Sequence, residues 1–443
     1  MAASDGTLGV AVVGCGTVGG ETACLLLRDA GVLAARTGRR PMLRHIVDVD
    51  FTHARELGLD EKLFTDDLDK VLADESVGAV AELIGGTTIA KDVIERALRA
   101  GKSVVTANKA LLAHHGPELY ALARANGACV AFEASCGGGI PILRAITDGL
   151  VANRVDAMYG IVNGTCNYIL TEMTQRGQSY ADALAVAQAQ GLAEADPTLD
   201  VTGVDSAHKL AILAALAFSV HVDFARIPVQ GIDALELRDI QNGQELGYVV
   251  KLLAIAVRQG AGLSLRVCPA FISKEHPLAW VSGPFNAVSV YGHATGHTMH
   301  YGRGAGGKPT ASAVVADLVA VALGTAQRQF DDLLVWPDRN PPAHQLPVGD
   351  AESRQYLRVM CEDHPGVLAR IAAILGNHDI GISSVLQHEP PAGTEGHAVP
   401  VVITTYRALE GNVANALAEV NALDVVRAEA VCIPIVEEYP EDI

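Results

Sequence analysis

LGVAVVGCGTVGG, residues 8–20, is an apolar run that stops at glycines and then takes on helical spacing over residues 18–30. Between a strand and a helix, the Gly-x-Gly-x-x-Gly pattern has a physical reading. Gly14 makes the tight turn, Gly16 lets a pyrophosphate reach the backbone, and Gly19 lets the helix pack on the strand. The helix start at Thr17 and Val18 favours the anion. Outward from this stretch, strand-like runs at 42–47, 78–84, 103–106 and 129–132 alternate with helical stretches at 88–100 and 117–126. That alternation predicts a parallel sheet covered on both faces, a doubly wound nucleotide domain over residues 1–137.

Beyond this Rossmann-like α/β unit the pattern changes. Helical stretches at 143–151, 166–175, 180–190 and 202–218 precede strand-like runs at 247–257, 264–272 and 286–291, as expected of an α+β substrate and dimerisation domain over 138–328. A helix at 310–323 follows a Gly-rich segment and is expected to pack back on the nucleotide domain. Residues 329–353, with four prolines between Trp336 and Gly349, read as a linker. The order strand, helix, strand, strand, helix, strand over 354–434 predicts a ferredoxin-like βαββαβ module.

The chain has 443 residues, 49% of them hydrophobic, and a net charge of −18. Such a chain folds into several cores and lacks the basic surface of a nucleic-acid binder. The N-terminal stretch carries no leader pattern, and no apolar run reaches the length of a membrane span. Eight scattered cysteines without metal spacing read as reduced thiols, so a cytoplasmic protein acting on small molecules is expected.

Several residues carry candidate chemistry. Asp48 and Asp50 close the second strand, where a carboxylate accepts from ribose hydroxyls and repels a ribose phosphate. Asp205 and Lys209 lie one turn apart on a helix apolar nearly all round. An ion pair buried there is costly unless it serves a site, and a desolvated lysine suits proton transfer. Glu194, Asp196 and Asp200 add carboxylates that could grip an ammonium group. Glu133 to Pro141, with glycines at 137–139, is a hinge loop or a set of carbonyls for a hard monovalent cation. Lys109 follows a strand end that faces the ligand crevice.

These segments, with ELIGG, VVTANKALL, EASCGGGIPI, GIVNGTCNYIL, GLAEADPTLDVTGVDSAHKLAILA and YGRGAGGKPTASAVVADL, resemble homoserine dehydrogenase with a C-terminal ACT regulatory domain. The resemblance implies that Lys209 is the acid/base on the substrate oxygen, with Asp205 beside it. Glu194 and Asp200 would serve the substrate, and Lys109 would touch both substrate and cofactor. Thr87 and Gly306 join the cofactor contacts. Glu133, Cys136, Gly138 and Ile140 match positions whose backbone carbonyls hold sodium in the family. Asp363, Pro365, Gly366 and Asn377 lie where amino-acid effectors sit in ACT domains.

Many family members carry an arginine at the position of Val49, where it can hold the phosphate of NADP; its absence favours NAD. Ile89 replaces a usual proline, with no chemical consequence evident. The implied protein is a homodimer or homotetramer that interconverts L-homoserine and L-aspartate 4-semialdehyde with NAD or NADP. It belongs on the route to threonine, methionine and isoleucine, is inhibited by threonine, and keeps an active core when the C-terminal module is removed. Two other readings remain open from residue types alone. Cys136 could be the nucleophile of an acylating aldehyde dehydrogenase, or the chain could be a non-catalytic amino-acid sensor.

Overall fold

The structure is a computed structural model that describes residues 6–389 and 398–440. Residues 1–5, part of the N-terminal stretch read as lacking a leader, lie outside it. Six parallel strands form the first sheet, in the order Phe64–Thr65, Arg40–Val47, Thr7–Val13, Val77–Glu82, Ser103–Thr106, Val130–Ala131. Strand order reverses between Thr7–Val13 and Val77–Glu82, so a crevice opens at their C-terminal ends, beside Gly14. The helix Gly307–Leu323 returns to this domain, where Val314 and Leu318 share a core with Val10, Val12 and Ala23.

Three local differences from the sequence reading bear on the site. The helix expected to open at Pro117 runs instead over Lys109–Ala125, with Pro117 inside it. Asn108 Oδ1 accepts the Leu111 N–H at 3.1 Å and caps it, which sets Lys109 at a helix N-terminus facing the crevice. The helix expected over 202–218 is present as Val204–Phe218, its start set by Gly203 at φ 86°, and a separate short helix, Thr198–Val201, precedes it. The strand Val155–Ile161, unpredicted because its apolar pattern is mixed, pairs with Phe285–Gly292 and Tyr248–Gln259.

The second sheet runs through the rest of the molecule. Its catalytic part has the order Gly296–Arg303, Phe285–Gly292, Val155–Ile161, Tyr248–Gln259, Gly262–Ser273. It continues without a break into Val426–Val436, Glu352–Cys361, Val399–Thr405 and Ile382–Leu386, the strands of the βαββαβ module. The join is a short parallel pairing, Ile435 with Phe271 and Val436 with Ile272. On one face the module has its own core of Leu357, Val359, Ile371, Ile403 and Val413. On the other, Tyr356, Val402, Ile433 and Ile435 belong to the catalytic core. Removing the module would therefore bare a strand edge and an apolar face.

The linker is tied to both the nucleotide and the catalytic domains. Trp336 packs among Tyr120, Phe132 and Phe330, Arg124 Nε donates to Asp338 Oδ2 at 2.8 Å, and the Leu346 N–H donates to the Leu263 carbonyl at 3.0 Å. No single helix among the described residues is long and apolar enough to cross a membrane.

Candidate active site

The glycine-rich loop has the geometry a pyrophosphate needs. Gly14 sits at φ 93°, and a Cβ there would lie 2.8 Å from the backbone of Leu83 and Ile84. A Cβ on Gly19 would strike the Gly14 carbonyl oxygen at 1.8 Å, so helix and turn touch directly. Nothing lies within 4 Å of a Cβ on Gly16, the open approach that an anion requires. A second helix N-terminus, capped by Gly306, meets the first: a Cβ on Gly307 would lie 3.1 Å from Thr17. The two ends converge on the space above Gly16, which fits a dinucleotide phosphate.

Asp48 has a local task as well as the expected one. Its Oδ2 accepts the Cys15 N–H at 2.6 Å and its Oδ1 the Val49 N–H at 2.7 Å, pinning the loop to the strand end. Asp50 accepts from both the N–H and the hydroxyl of Thr52, which hold its carboxyl below the usual range. Each carboxylate keeps lone pairs for a ribose hydroxyl. Val49 is 96% exposed, and the nearby cation Arg55 is paired with Glu61 at 2.8 Å. Arg39 precedes the start of Arg40–Val47, the strand whose other end carries Asp48.

Across the crevice, a cavity of about 440 Å³ is lined by Gly85, Asn108, Lys109, Glu194, Asp200 and Asp205, among others. Lys209 lies behind Asp205. Its Nζ donates to Asp205 Oδ2 at 2.7 Å and to the Val162 carbonyl at 2.6 Å, and the residue is 8% exposed. Lys109 Nζ sits 3.2 Å from the other oxygen, Asp205 Oδ1. Burial alone would raise the Asp205 carboxyl; the two ammonium groups, with hydrogen bonds from Lys209 and Asn163, overcome it and hold the group well below the usual range. Lys109 is raised mainly by the Asp205 charge. Glu194 lies at the mouth, exposed. Thr87 follows the glycines that line the cavity, in a loop tied to Asn108 through the Gly86 carbonyl at 2.6 Å.

Two supporting groups escaped the sequence reading. Asn163 Nδ2 bridges Asp200 Oδ1 at 2.7 Å and Asp205 Oδ2 at 2.9 Å, while its Oδ1 caps the helix Gly164–Arg176. An Asn-Gly pair opening a helix was the available signal. Glu82, fully buried at a strand end, accepts from the Ile84 N–H at 2.9 Å and from the Thr106 hydroxyl at 2.7 Å, shaping the cavity floor.

His208 also lines the cavity, stacked on Phe224 at 4.7 Å. Burial, with the His114 ring adding to it, pushes its imidazole down to about 4. A folded value below the unfolded 6.5 gives stability that is present above pH 6.5 and lost as pH falls toward about 4. Thermal unfolding of His208→Phe is accordingly expected to decline less across that window than the parent chain. Equal declines would remove His208 as a source of acid sensitivity.

Cys136 is fully buried, and burial pushes its thiol up to about 12. Its Sγ faces the Ser135 hydroxyl and the Lys209 carbonyl, and among the described residues no imidazole or carboxylate hydrogen-bonds it, so burial and geometry both disfavour the nucleophile reading. Around it, Gly137 at φ 72° and Gly138 at φ 53° turn successive carbonyls, and a Cβ on Gly138 would strike the Gly304 backbone at 2.6 Å. No His, Cys, Asp or Glu cluster of metal-binding type occurs among the described residues. A cation here would rest on backbone oxygens, as a hard monovalent ion accepts. The Glu133 side chain is occupied elsewhere, accepting the Leu143 N–H at 2.8 Å and the Arg144 N–H at 3.0 Å. Burial and then Asp317 push its carboxyl up to about 7.

The expected effector residues are not brought together within one chain. Asp363 and Gly366 precede the helix Val367–Asn377 and Asn377 ends it. Those ends lie ~15 Å apart at the helical rise per residue.

With an open approach for a dinucleotide phosphate over Gly16 and two ammonium groups around one carboxylate across the cavity, fold and site define a dinucleotide-dependent dehydrogenase. Residues 141–319 match the family model for homoserine dehydrogenase, residues 14–133 that for its NAD-binding domain, and residues 355–424 that for the ACT domain. The homoserine dehydrogenase of Pseudomonas aeruginosa is 43% identical over 96% of this chain and 98% of its own, and that of Bacillus subtilis 38% identical over 94% and 96%. A crystal structure of the Thiobacillus denitrificans homoserine dehydrogenase superposes with a TM-score of 0.91 at 40% identity, covering 97% of this chain and 98% of that one. The chain belongs to the homoserine dehydrogenase family, with a C-terminal ACT domain.

Proposed function

We propose that this dehydrogenase interconverts L-homoserine and L-aspartate 4-semialdehyde with NAD as the preferred cofactor, on the route to threonine, methionine and isoleucine. The observation that carries the reading is the Lys209–Asp205–Lys109 cluster beside the cavity. The dinucleotide supplies or accepts the hydride. An ammonium group has three donors; Lys209 spends two on Asp205 and Val162, which leaves one for the substrate oxygen. In the reductive direction that proton goes to the developing alkoxide, and in the oxidative direction Lys209 takes it back. Asp205 fixes the Lys209 head and also holds Lys109, which faces the cavity and positions the substrate. Glu194 and Asp200 provide the negative charge to receive the substrate ammonium.

A sodium ion on the carbonyls of Glu133, Cys136, Gly138 and Ile140 would brace the loop that joins the nucleotide and catalytic domains. Effector binding between paired ACT modules implies a homo-oligomer of at least two chains, with threonine the expected effector. Free thiols at all eight cysteines support a cytoplasmic setting.

The cofactor assignment has its own test. Homoserine-dependent growth of the reduced-nicotinamide absorbance should give a kcat/KM with NAD about tenfold above that with NADP. Val49→Arg should raise the NADP value. A better kcat/KM with NADP in the parent chain would overturn the preference.

A further inference from the structure

A second cavity, of about 320 Å³, lies between the ACT module and the catalytic sheet and shares no lining residue with the cavity beside Lys209. Its walls are mainly apolar, from Val229 and Val267 on the catalytic side to Val413 and Leu417 on the module's helix Glu410–Asn421, with Gln230 and Gln355 as neutral polar groups. One charge pair spans it. Arg266 of the strand Gly262–Ser273 meets Glu410, the first residue of the module's helix, and both side chains are only 12% exposed. Glu410 also accepts the Ser353 hydroxyl at 2.7 Å, whereas the buried Arg266 Nε has no hydrogen-bond partner among the described residues. A desolvated cation and anion facing one apolar pocket match the two charges of an amino acid, which could exchange the existing pair for two new ones and leave no charge unpaired.

The catalytic wall of this cavity is also the packing partner of the catalytic helix. Val229 and Val267 bridge, with the Val267 N–H donating to the Pro228 carbonyl at 2.9 Å. A Cβ on Gly203 would lie 3.1 Å from Val229 and 3.2 Å from Val267, and one on Gly231 would strike the Val201 carbonyl at 2.2 Å. Gly203 is the turn that launches Val204–Phe218, where Asp205 is the second residue. Val229 and Val267 thus pack close to the Gly203 turn, two residues before Asp205, which gives a route by which a shift of either valine on ligand entry would reach Asp205.

We propose that this cavity binds a small aliphatic α-amino acid, its carboxylate on Arg266 and its ammonium on Glu410, and that occupancy alters turnover through the Gly203 turn. The proposal rests on the feedback reading above and places one effector site between the ACT module and the catalytic domain of the same chain. Isothermal titration of the full chain with L-valine, L-threonine and L-isoleucine, alongside N-acetyl-L-valine, tests it. At least one free amino acid should bind and change the homoserine rate, and the acetylated compound, lacking the ammonium, should not bind. Glu410→Gln, which keeps shape, and Ala414→Trp, at the exposed mouth, should each weaken binding about tenfold or more. Ala414→Trp, which leaves the Arg266–Glu410 pair intact, should keep the amino-acid-free rate, which tests the dehydrogenase reading separately. Unchanged affinity in both folded variants would overturn the site, as would binding lost only in Asp363→Ala or Asn377→Ala. Binding without any change in rate would overturn its control of turnover.

Discussion

Lys209→Ala is expected to lower turnover at least ~10²-fold, the lower end of what a positioned acid or base supplies. The alkoxide would then form with no donor at the position where Lys209 now sits fixed by Asp205 and Val162. Dinucleotide affinity should barely change, since the glycine-rich loop lies across the crevice. Lys109→Ala provides the contrast. That lysine is 38% exposed and touches Asp205 from the cavity side, so its loss should raise KM for homoserine more than it lowers kcat. Measured kcat and KM for the two variants separate the roles. Near-parent turnover in Lys209→Ala, with a collapse in Lys109→Ala, would transfer the proton to Lys109.

The largest effect on stability should come from Arg358→Met. Arg358 is 3% exposed on the first ACT strand, and its Nε and Nη2 donate to Asp239 at 2.5 and 2.9 Å. Asp239, 1% exposed on the catalytic helix Leu237–Glu245, also accepts the Tyr356 hydroxyl at 2.8 Å. Removing the arginine leaves a buried carboxylate without its counter-charge, which costs about 3–5 kcal/mol. Chemical denaturation should register that loss, and adding Asp239→Leu should recover part of it because no charge is then stranded. A loss below about 1 kcal/mol in the single variant would mean that water reaches Asp239. The pair also ties the module to the catalytic domain, which carries the counter-charge of Arg358 and shares a core with Tyr356, Val402, Ile433 and Ile435.

The legible parts of the sequence were those where one local pattern has one physical use. Gly14, Gly16 and Gly19 could be read because a strand, a turn and a helix leave each glycine a separate steric task, and the parallel sheet around them followed from alternation. Asp205 and Lys209 stood out as charges on an apolar helix. Asn163 and Glu82 did not, because each acts on partners distant in sequence, Asp200 and Asp205 for one and Thr106 for the other. The start of the helix at Lys109 was hidden by Pro117, since a proline inside a helix reads as a beginning. The continuous sheet was hidden for another reason: pairing of Ile435 with Phe271 joins positions far apart in the chain, and no periodicity records it.

The central claim is that homoserine and dinucleotide meet between the Gly16 loop and the Asp205–Lys209 pair, and its most direct test is a crystal structure of the full chain with L-homoserine and an unreactive NAD analogue. The homoserine hydroxyl is expected within hydrogen-bond distance of Lys209 Nζ, its ammonium against Glu194 or Asp200, and the pyrophosphate over Gly16. Homoserine bound with its hydroxyl away from both lysines, or a dinucleotide that does not touch Gly16, would contradict it.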